Sequence, residues 1–304
     1  MNQIHYIQHD AIDKAKWDSC IKLAENSLIY GYSWWLDNIS PHWHALILND
    51  YDAVMPLTWR KKYGICYLYQ PFCTAALGVF FKENIRFSVA DFFNAIPSVY
   101  KYWDIDMNEQ NVLSAAHINF YERKNQVLNL EKDYSNIREK YSRLANRKLN
   151  KAKESGLIIV KDTDPSTVIE LYRKEYGHKH TNSAGDYAAL ANGCRIAGDK
   201  NRITAYTAHS AGGDVVAFYI VLHDDNCVYS LLGGSTAQGK DTGAFYFLTD
   251  AAIGDNCGSG KIFRFEGSDN EGISFFNRQF GATPIVYQHI QQNKLPFLLR
   301  MFKK

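Results

Sequence analysis

Residues 227–244 read CVYSLLGGSTAQGKDTGA, and residues 261–281 read KIFRFEGSDNEGISFFNRQFG. The first stretch predicts a strand at Cys227–Leu232, a loop rich in glycine, a polar loop at Ala237–Thr242, and a helix that opens at Gly243-Ala244. A strand, an amphipathic helix and a second strand are predicted after it at Lys261–Phe265, Glu271–Phe280 and Thr283–Ile290. A loop that leads into a helix N-terminus presents free N–H groups, so we expect an anion-binding site past Leu232.

The composition is that of a globular protein with room for two cores. The chain has 304 residues, of which 46% are hydrophobic and 22% charged, and its formal net charge is +2. A net charge this small gives no global field that would recruit nucleic acid or a membrane. The six cysteines form no C-x-x-C pair, and no apolar run reaches the length of about 20 residues that spans a bilayer. We therefore expect a cytoplasmic protein without a bound metal and without integral membrane contact.

The same kind of unit is predicted twice along the chain. Helical spacing at Ala11–Asn26 is followed by a hairpin with strands at His44–Leu48 and Ala53–Trp59. One long helix is predicted at Tyr134–Ser155, with Gly156 as the residue that ends it, and further helices and strands follow. We therefore expect an α/β (α+β) fold with two domains, residues 1–132 and 133–304. Each would be a mixed, mostly antiparallel sheet flanked by helices.

Three segments resemble the Fem-type branch of the GNAT superfamily. They are the basic helix at Ile137–Glu154, the strand, loop and helix at Leu231–Ala244, and the closing segment Phe263–Gly281. Proteins of that branch are tandem GNAT-fold N-acyltransferases, some of which use aminoacyl-tRNA to extend peptidoglycan precursors, whereas relatives use acyl-CoA. The resemblance implies an enzyme that moves an acyl group from a thioester donor such as acyl-CoA (acetyl-CoA) to an amine. The alternatives are a Fem-type transferase that depends on aminoacyl-tRNA and a non-catalytic GNAT-like binding module.

The donor site that the resemblance implies surrounds the glycine-rich segment. The GNAT diphosphate loop usually reads Q/R-x-x-G-x-G/A, and residues 238–244 read QGKDTGA. Asp241 stands where the central glycine belongs, and a carboxylate beside a diphosphate is repulsive. The predicted donor-binding residues are Gly233, Gly234, Ser235, Gln238, Gly239, Lys240, Gly243 and Ala244.

The predicted catalytic residues follow the strand that ends at Phe265. Glu266 would be the general base, with Ser268 as its helper, because a partly buried carboxylate is able to have a pKa near neutrality. The alternatives for Glu266 are a solvated loop carboxylate and an ion pair with Arg264 or Arg278.

Four further residues are predicted to contact substrate. Arg278 would bind an anionic group, although it would also complement the dipole of its own helix. Arg143 and Arg147 form a basic stripe with Lys140 and Lys151, which would contact tRNA phosphates or a nucleotide-linked envelope precursor, or would be a solvated helix face. Tyr69 would line an aromatic groove, with core packing as the alternative.

Overall fold

The computed structural model describes residues 3–114 and 117–296. The first part of the chain forms three α-helices and seven strands in the described residues. The helices are α1 (Lys14–Leu23), α2 (Ser33–Ile39) and α3 (Val89–Asn94). The strands are β1 (Ile4–Ile7), β2 (His44–Leu48), β3 (Ala53–Leu57), β4 (Trp59–Lys62), β5 (Ile65–Tyr69), β6 (Phe80–Phe81) and β7 (Tyr100–Asp106).

The second part carries the remaining elements. The helices are α4 (Tyr134–Arg138), α5 (Arg143–Glu154), α6 (Pro165–Tyr176), α7 (Ala184–Asp199), α8 (Ala237–Thr242), α9 (Ala244–Asn256) and α10 (Glu271–Arg278). The strands are β8 (Phe120–Asn129), β9 (Ile158–Lys161), β10 (Ile203–His209), β11 (Val215–His223), β12 (Cys227–Ser235), β13 (Ile262–Arg264) and β14 (Thr283–Asn293).

Contacts divide the chain into two units. The first unit consists of the residues up to Arg123 together with the segment from Val286, and the second is Lys124–Ile285. This division differs from the predicted domains 1–132 and 133–304 in that residues 124–132 join the second unit and the segment from Val286 joins the first. The physical reason for the latter is strand pairing: β14 is antiparallel to β7, with His289 opposite Asp106 and Asn293 opposite Tyr102.

Most strand pairs in both units are antiparallel, as predicted from the sequence. In the first unit, β1, β2, β3 and β6 form one sheet, and β4, β5, β7 and β14 are neighbours in another. In the second unit the strand order is β8-β13-β12-β11-β10-β9. Parallel pairs also occur in the described residues, namely β5 with β7 in the first unit and β12 with β13 in the second.

The parallel pair of the second unit is short. It covers three positions, from Cys227 opposite Ile262 to Tyr229 opposite Arg264. Beyond them β13 ends, while β12 continues to Ser235 along β11. The Phe265 amide still donates to the carbonyl of Gln126 on β8, and the residues after Phe265 form the loop that leads into α10.

The prediction of one helix at Tyr134–Ser155 is wrong, because the helix is interrupted between Arg138 and Arg143. Ser142 is the N-cap of α5, and its hydroxyl accepts a hydrogen bond from the amide of Ala145. The Ser142 amide donates to the carbonyl of Gln279, and its hydroxyl donates to the Gln279 side chain at 2.5 Å. A tertiary contact with the end of α10 thus replaces the intrahelical bonds. Gly156 does follow α5 with φ of 65°, as predicted.

Two loop predictions in the opening stretch are also wrong. Gly233, Gly234 and Ser235 belong to β12 and pair with β11, with Gly234 opposite Phe218. The predicted polar loop Ala237–Thr242 is the helix α8, capped by the hydroxyl of Thr236. Gly243, with φ of 77°, separates α8 from α9. Glycine readily adopts this left-handed conformation, so a short helix and a turn replace the predicted loop, and the predicted helix at Gly243-Ala244 follows as α9.

Candidate functional site

A polar cavity of about 570 Å³ lies beside the loop that follows β13. We call it the β13-loop cavity, and its lining comes from four parts of the second unit: β8, the loop itself, α10 and the first residues of β14. The lining residues are Lys124, Gln126, Ser268, Asp269, Glu271, Ser274, Phe275, Arg278 and Pro284. The structure therefore brings the predicted residues Ser268 and Arg278 to one place.

The local conformation of the loop explains how it reaches α10. Glu266 and Gly267 both have positive φ, 54° and 63°, so the chain turns sharply as it leaves β13. Such a conformation is uncommon for a residue with a side chain and is held by surrounding contacts. Asn270 then caps α10 by accepting hydrogen bonds from the amides of Gly272 and Ile273.

Glu266 lies behind the cavity in a buried ion pair. The side chains of Glu266 and Arg264 are 10% and 6% exposed, and Arg264 Nε lies 3.4 Å from Glu266 Oε1. The other carboxylate oxygen, Oε2, accepts a hydrogen bond of 2.6 Å from Asn125. The structure thus shows the ion-pair alternative for Glu266, and its action as a general base stays a prediction.

Ser268 connects this ion pair to the cavity. Its residue is 4% exposed, its hydroxyl donates to Asn125 Oδ1 at 3.2 Å, and it accepts from Asn277 Nδ2 at 2.9 Å. Asn125 therefore contacts both Glu266 and Ser268, so the two predicted catalytic residues belong to one hydrogen-bonded network. The network holds the Ser268 hydroxyl in a fixed orientation at the cavity surface.

Gln126 is a cavity residue that the sequence analysis missed. It is 2% exposed, and its Nε2 donates to Ser274 Oγ at 2.8 Å, whereas its Oε1 is buried without a hydrogen-bond partner. The contact with Ser274 joins positions 148 residues apart in sequence, which no local pattern reveals. One signal was present: Lys124, Asn125 and Gln126 are three consecutive polar residues inside a strand, and two of them are buried.

The predicted donor-binding segment has its backbone amides in use. The Tyr176 hydroxyl accepts from the Ser235 amide at 3.1 Å and donates to the Ser235 carbonyl at 2.8 Å. A Cβ on Gly234 would lie 2.3 Å from the Tyr176 ring, and one on Gly233 would lie 2.6 Å from the Phe245 ring. These two glycines therefore make room for aromatic side chains in the unit itself.

The predicted donor-binding residues that follow are packed in the same way. The Gly239 amide donates to Thr236 Oγ1, and a Cβ on Gly239 would lie 1.9 Å from the Val216 carbonyl oxygen. A Cβ on Gly243 would lie 2.7 Å from the carbonyl oxygen of Lys148 on α5. Ala244 is fully buried, whereas Gln238 and Lys240 are exposed. The amides of Ser235 and Gly239 are therefore not open to a ligand, and donor binding by the remaining residues of this segment stays a prediction.

The predicted basic stripe lies on the exposed face of α5. Arg143 and Arg147 are exposed and line an open surface depression together with Asn146, Asn150, Lys151 and Glu154. The opposite face is apolar and buried, through Ala145, Leu149 and Ala152. Lys140 does not belong to this face, because it lies in the break before α5.

Tyr69 belongs to the first unit, in β5. Its ring lies under the guanidinium of Arg60, 4.2 Å from the ring centroid, and its hydroxyl donates to Ser40 Oγ at 3.3 Å. Its contact with substrate stays a prediction.

In residues 3–114 and 117–296, no group of three or more His, Cys, Asp or Glu side chains is placed to hold a metal ion. The helices of that part of the chain are all too short or too polar to cross a bilayer.

Sequence comparisons leave the chain without a match. No protein-family model fits it, and no curated protein is similar to it in sequence. Solved structures are similar in fold. FemX superposes with a TM-score of 0.66 at 11% identity, over 97% of this chain and 99% of that chain.

Two other solved structures are similar over a comparable length. The tandem GNAT protein from the clavulanic acid biosynthesis pathway has a TM-score of 0.57 at 9% identity, over 97% of this chain and 99% of that one. L-PGS from Bacillus licheniformis has a TM-score of 0.56 at 10% identity, over 95% of each chain. Together with the two mostly antiparallel units, these likenesses show that the chain has the tandem GNAT fold of Fem-type proteins.

Proposed function

We propose that this chain is an N-acyltransferase of the Fem type, which moves an aminoacyl group from an ester donor such as aminoacyl-tRNA to an amine. The acceptor is a small molecule or an envelope precursor, as for the peptidoglycan-extending members that the sequence resembles. The tandem GNAT fold supports the reaction class. The choice of donor rests on the packing of α5. The carbonyl of Lys148 on α5 lies against Gly243, between α8 and α9, and the basic face of α5 is exposed to solvent.

Closure of this corner argues against coenzyme A at the predicted position. A diphosphate bound there needs backbone amides that point to solvent. The amides of Ser235 and Gly239 donate to side-chain hydroxyls instead, and Asp241 is exposed on α8. These features weigh against a diphosphate at this position and support the choice of a different donor.

The outer face of α5 offers what an aminoacyl-tRNA donor requires. The helix carries five basic residues and one acidic residue in the sequence RLANRKLNKAKE. Lysine and arginine on an exposed surface bind phosphates without base specificity. The net charge of +2 for the whole chain means that such binding would be local to this helix.

The chemistry at the β13-loop cavity follows from the groups present. The amine nitrogen attacks the carbonyl carbon of the donor, a C–N bond forms, and the C–O bond to the ribose breaks. The proton lost by the amine goes to the leaving oxygen, directly or through water. Ser268, held by Asn125 and Asn277, would orient the reacting groups, and Glu266 would act through Asn125 as a positioning residue.

The proposal is tested by filter binding of charged tRNA to the wild type and to the double variant Arg143→Glu/Arg147→Glu. We expect the double variant to bind at least about tenfold more weakly and with a shallower dependence on salt. The double variant Lys132→Glu/Lys174→Glu makes the same change of charge away from α5 and should bind normally. Equal tRNA binding by all three proteins would remove the aminoacyl-tRNA proposal.

The second candidate donor is an acyl-CoA thioester. The chain is similar in fold to the tandem GNAT protein, whose structure is that of the form without acetyl-CoA, and acetyl-CoA is therefore the thioester to test. Calorimetric titration with acetyl-CoA separates the donors, because we expect no heat at millimolar ligand. Saturable heat would favour the thioester donor. If neither donor supports turnover of any amine, the chain is a binding module with a GNAT-like fold.

A further inference from the structure

Two cationic side chains line the β13-loop cavity without forming an ion pair. They belong to Lys124 on β8 and Arg278 on α10, both residues are exposed, and neither side chain forms a hydrogen bond or ion pair within the described ranges. Arg264, by contrast, is buried and paired with Glu266. The two lining cations are therefore available to an anionic ligand.

Gln126 adds an unused acceptor to the same cavity. Its Oε1 is buried and has no partner, while its Nε2 is fixed by Ser274. A buried carbonyl oxygen without a hydrogen bond destabilises the protein unless a ligand or a water supplies a donor. The complementary ligand group is an N–H or O–H.

The remaining lining groups narrow the class of ligand. Asp269 and Glu271 are exposed acidic residues of the same lining, so a purely anionic ligand such as a phosphate backbone would meet repulsion there. A metal ion would be repelled by Lys124 and Arg278. A volume of about 570 Å³ is that of a small-molecule pocket. Cations, carboxylates and a free acceptor together match a zwitterion.

We propose that the β13-loop cavity binds the amine acceptor as a zwitterion, with its carboxylate or phosphate on Lys124 and Arg278 and its amine directed to Gln126 Oε1. Phe275, half exposed, and Pro284 supply the apolar surface for the carbon chain between the two charges. This assignment rests on the proposed function, because it names the acceptor of that reaction as an amine that also carries an anion. Binding itself does not depend on the donor.

The test is saturation-transfer NMR on the full chain with four probes. Glycylglycine carries an amine and a carboxylate, and O-phosphoethanolamine carries an amine and a phosphate; glycylglycinamide and ethanolamine are their counterparts without the anion. We expect at least one anionic probe to bind and its counterpart to bind at least about tenfold more weakly. Which of the two anionic probes binds distinguishes a carboxylate acceptor from a phosphate acceptor.

Variants link the signal to the cavity. Lys124→Ala and Arg278→Ala alter exposed side chains, so both should fold, and each should weaken the anionic probe by about tenfold. Gln126→Leu should weaken it as well, and Lys174→Ala, an exposed cation outside the cavity, should leave it unchanged. The proposal is overturned if neither anionic probe binds, if the counterparts that lack the anion bind equally well, or if Lys174→Ala weakens binding as much as Arg278→Ala.

Failure of the reaction and failure of the site give different results. If an anionic probe binds and the cavity variants weaken it, but no donor yields an acylated product, the proposed function fails and the zwitterion site stands. If glycylglycinamide is acylated as fast as glycylglycine, and Lys124→Ala and Arg278→Ala have no effect on that rate, the site fails and the transferase stands.

Discussion

At the residue scale, Glu266 has a predicted catalytic role and also a structural role in a buried ion pair. Its carboxylate has a cationic partner on one oxygen and an amide partner on the other, and both partners are buried. A carboxylate with these partners is stabilised in its ionised form. Any loss of activity on changing Glu266 must therefore be separated from a loss of stability.

We expect Glu266→Gln to lower the free energy of unfolding by on the order of 3 kcal/mol, because it removes the negative charge that is paired with the buried Arg264 guanidinium. Chemical denaturation followed by circular dichroism measures this. Glu271→Gln, at an exposed carboxylate on the first residue of α10, is the matched control and should change stability by no more than about 0.5 kcal/mol. Equal stability of the two variants would show that the buried pair contributes nothing.

Gly234 is a second residue whose importance is packing. We expect Gly234→Ala to destabilise the protein by about 1–3 kcal/mol, since the new Cβ would overlap the Tyr176 ring, 2.3 Å away. Gly198→Ala, in α7, meets its nearest atom at 3.8 Å and should cost nothing or stabilise by up to about 1 kcal/mol. The comparison is made by thermal unfolding, and a neutral Gly234→Ala would contradict the packing of Tyr176 on β12.

At the scale of elements, β10 and β11 enclose a histidine that must stay neutral. Burial, together with the charges of Lys261 and Arg202, lowers the pKa of His223 from 6.5 to about 4. Its Nε2 is 3.0 Å from Thr204 Oγ1 on the neighbouring strand. The folded state thus disfavours the protonated form that an unfolded chain would adopt below pH 6.5.

The consequence is a loss of stability on acidification. A histidine with a lowered pKa in the folded state contributes its full stability above pH 6.5, and this is lost as the pH falls from 6.5 towards about 4. We expect the wild type to lose more stability than His223→Gln over that range in urea titrations. The comparison with His223→Gln isolates the effect of His223, because His289 changes the stability in the opposite direction as the pH falls. Burial would lower the pKa of His289, but the carboxylates of Asp104 and Asp106 outweigh it and raise that pKa. Parallel pH profiles for the two proteins would contradict the prediction.

At the scale of the whole molecule, β14 joins the first unit, although that unit is otherwise formed by the residues up to Arg123. Ile290 on β14 is fully buried in the core of the first unit, with Leu46, Leu68 and Trp103. Ile290 thus belongs to this core although it lies more than 180 residues after β7, the strand with which β14 pairs. The second unit has its own core, which includes Leu248 and Phe263.

We expect Ile290→Ala to destabilise the protein by about 2–5 kcal/mol and to do so within the first unit. Hydrogen exchange should show faster amide exchange in β2, β3 and β7, with β10, β11 and α9 unchanged. Leu248→Ala, an equally buried change in the second unit, should give the reverse pattern. Faster exchange in the second unit alone for Ile290→Ala would contradict the assignment of β14.

The sequence by itself determined the fold class and most elements. Local patterns predicted the strand His44–Leu48, which is β2, and a helix that begins at Glu271, which is α10, because these signals act between residues close in sequence. Tertiary structure alone decided three other features. Contact with Gln279 split the predicted long helix, pairing with β11 made Gly234 part of a strand, and pairing of β14 with β7 set the limits of the units. It also brought Gln126 to Ser274 in one cavity. Each depends on contacts between distant residues, whose energies leave no local pattern in the sequence.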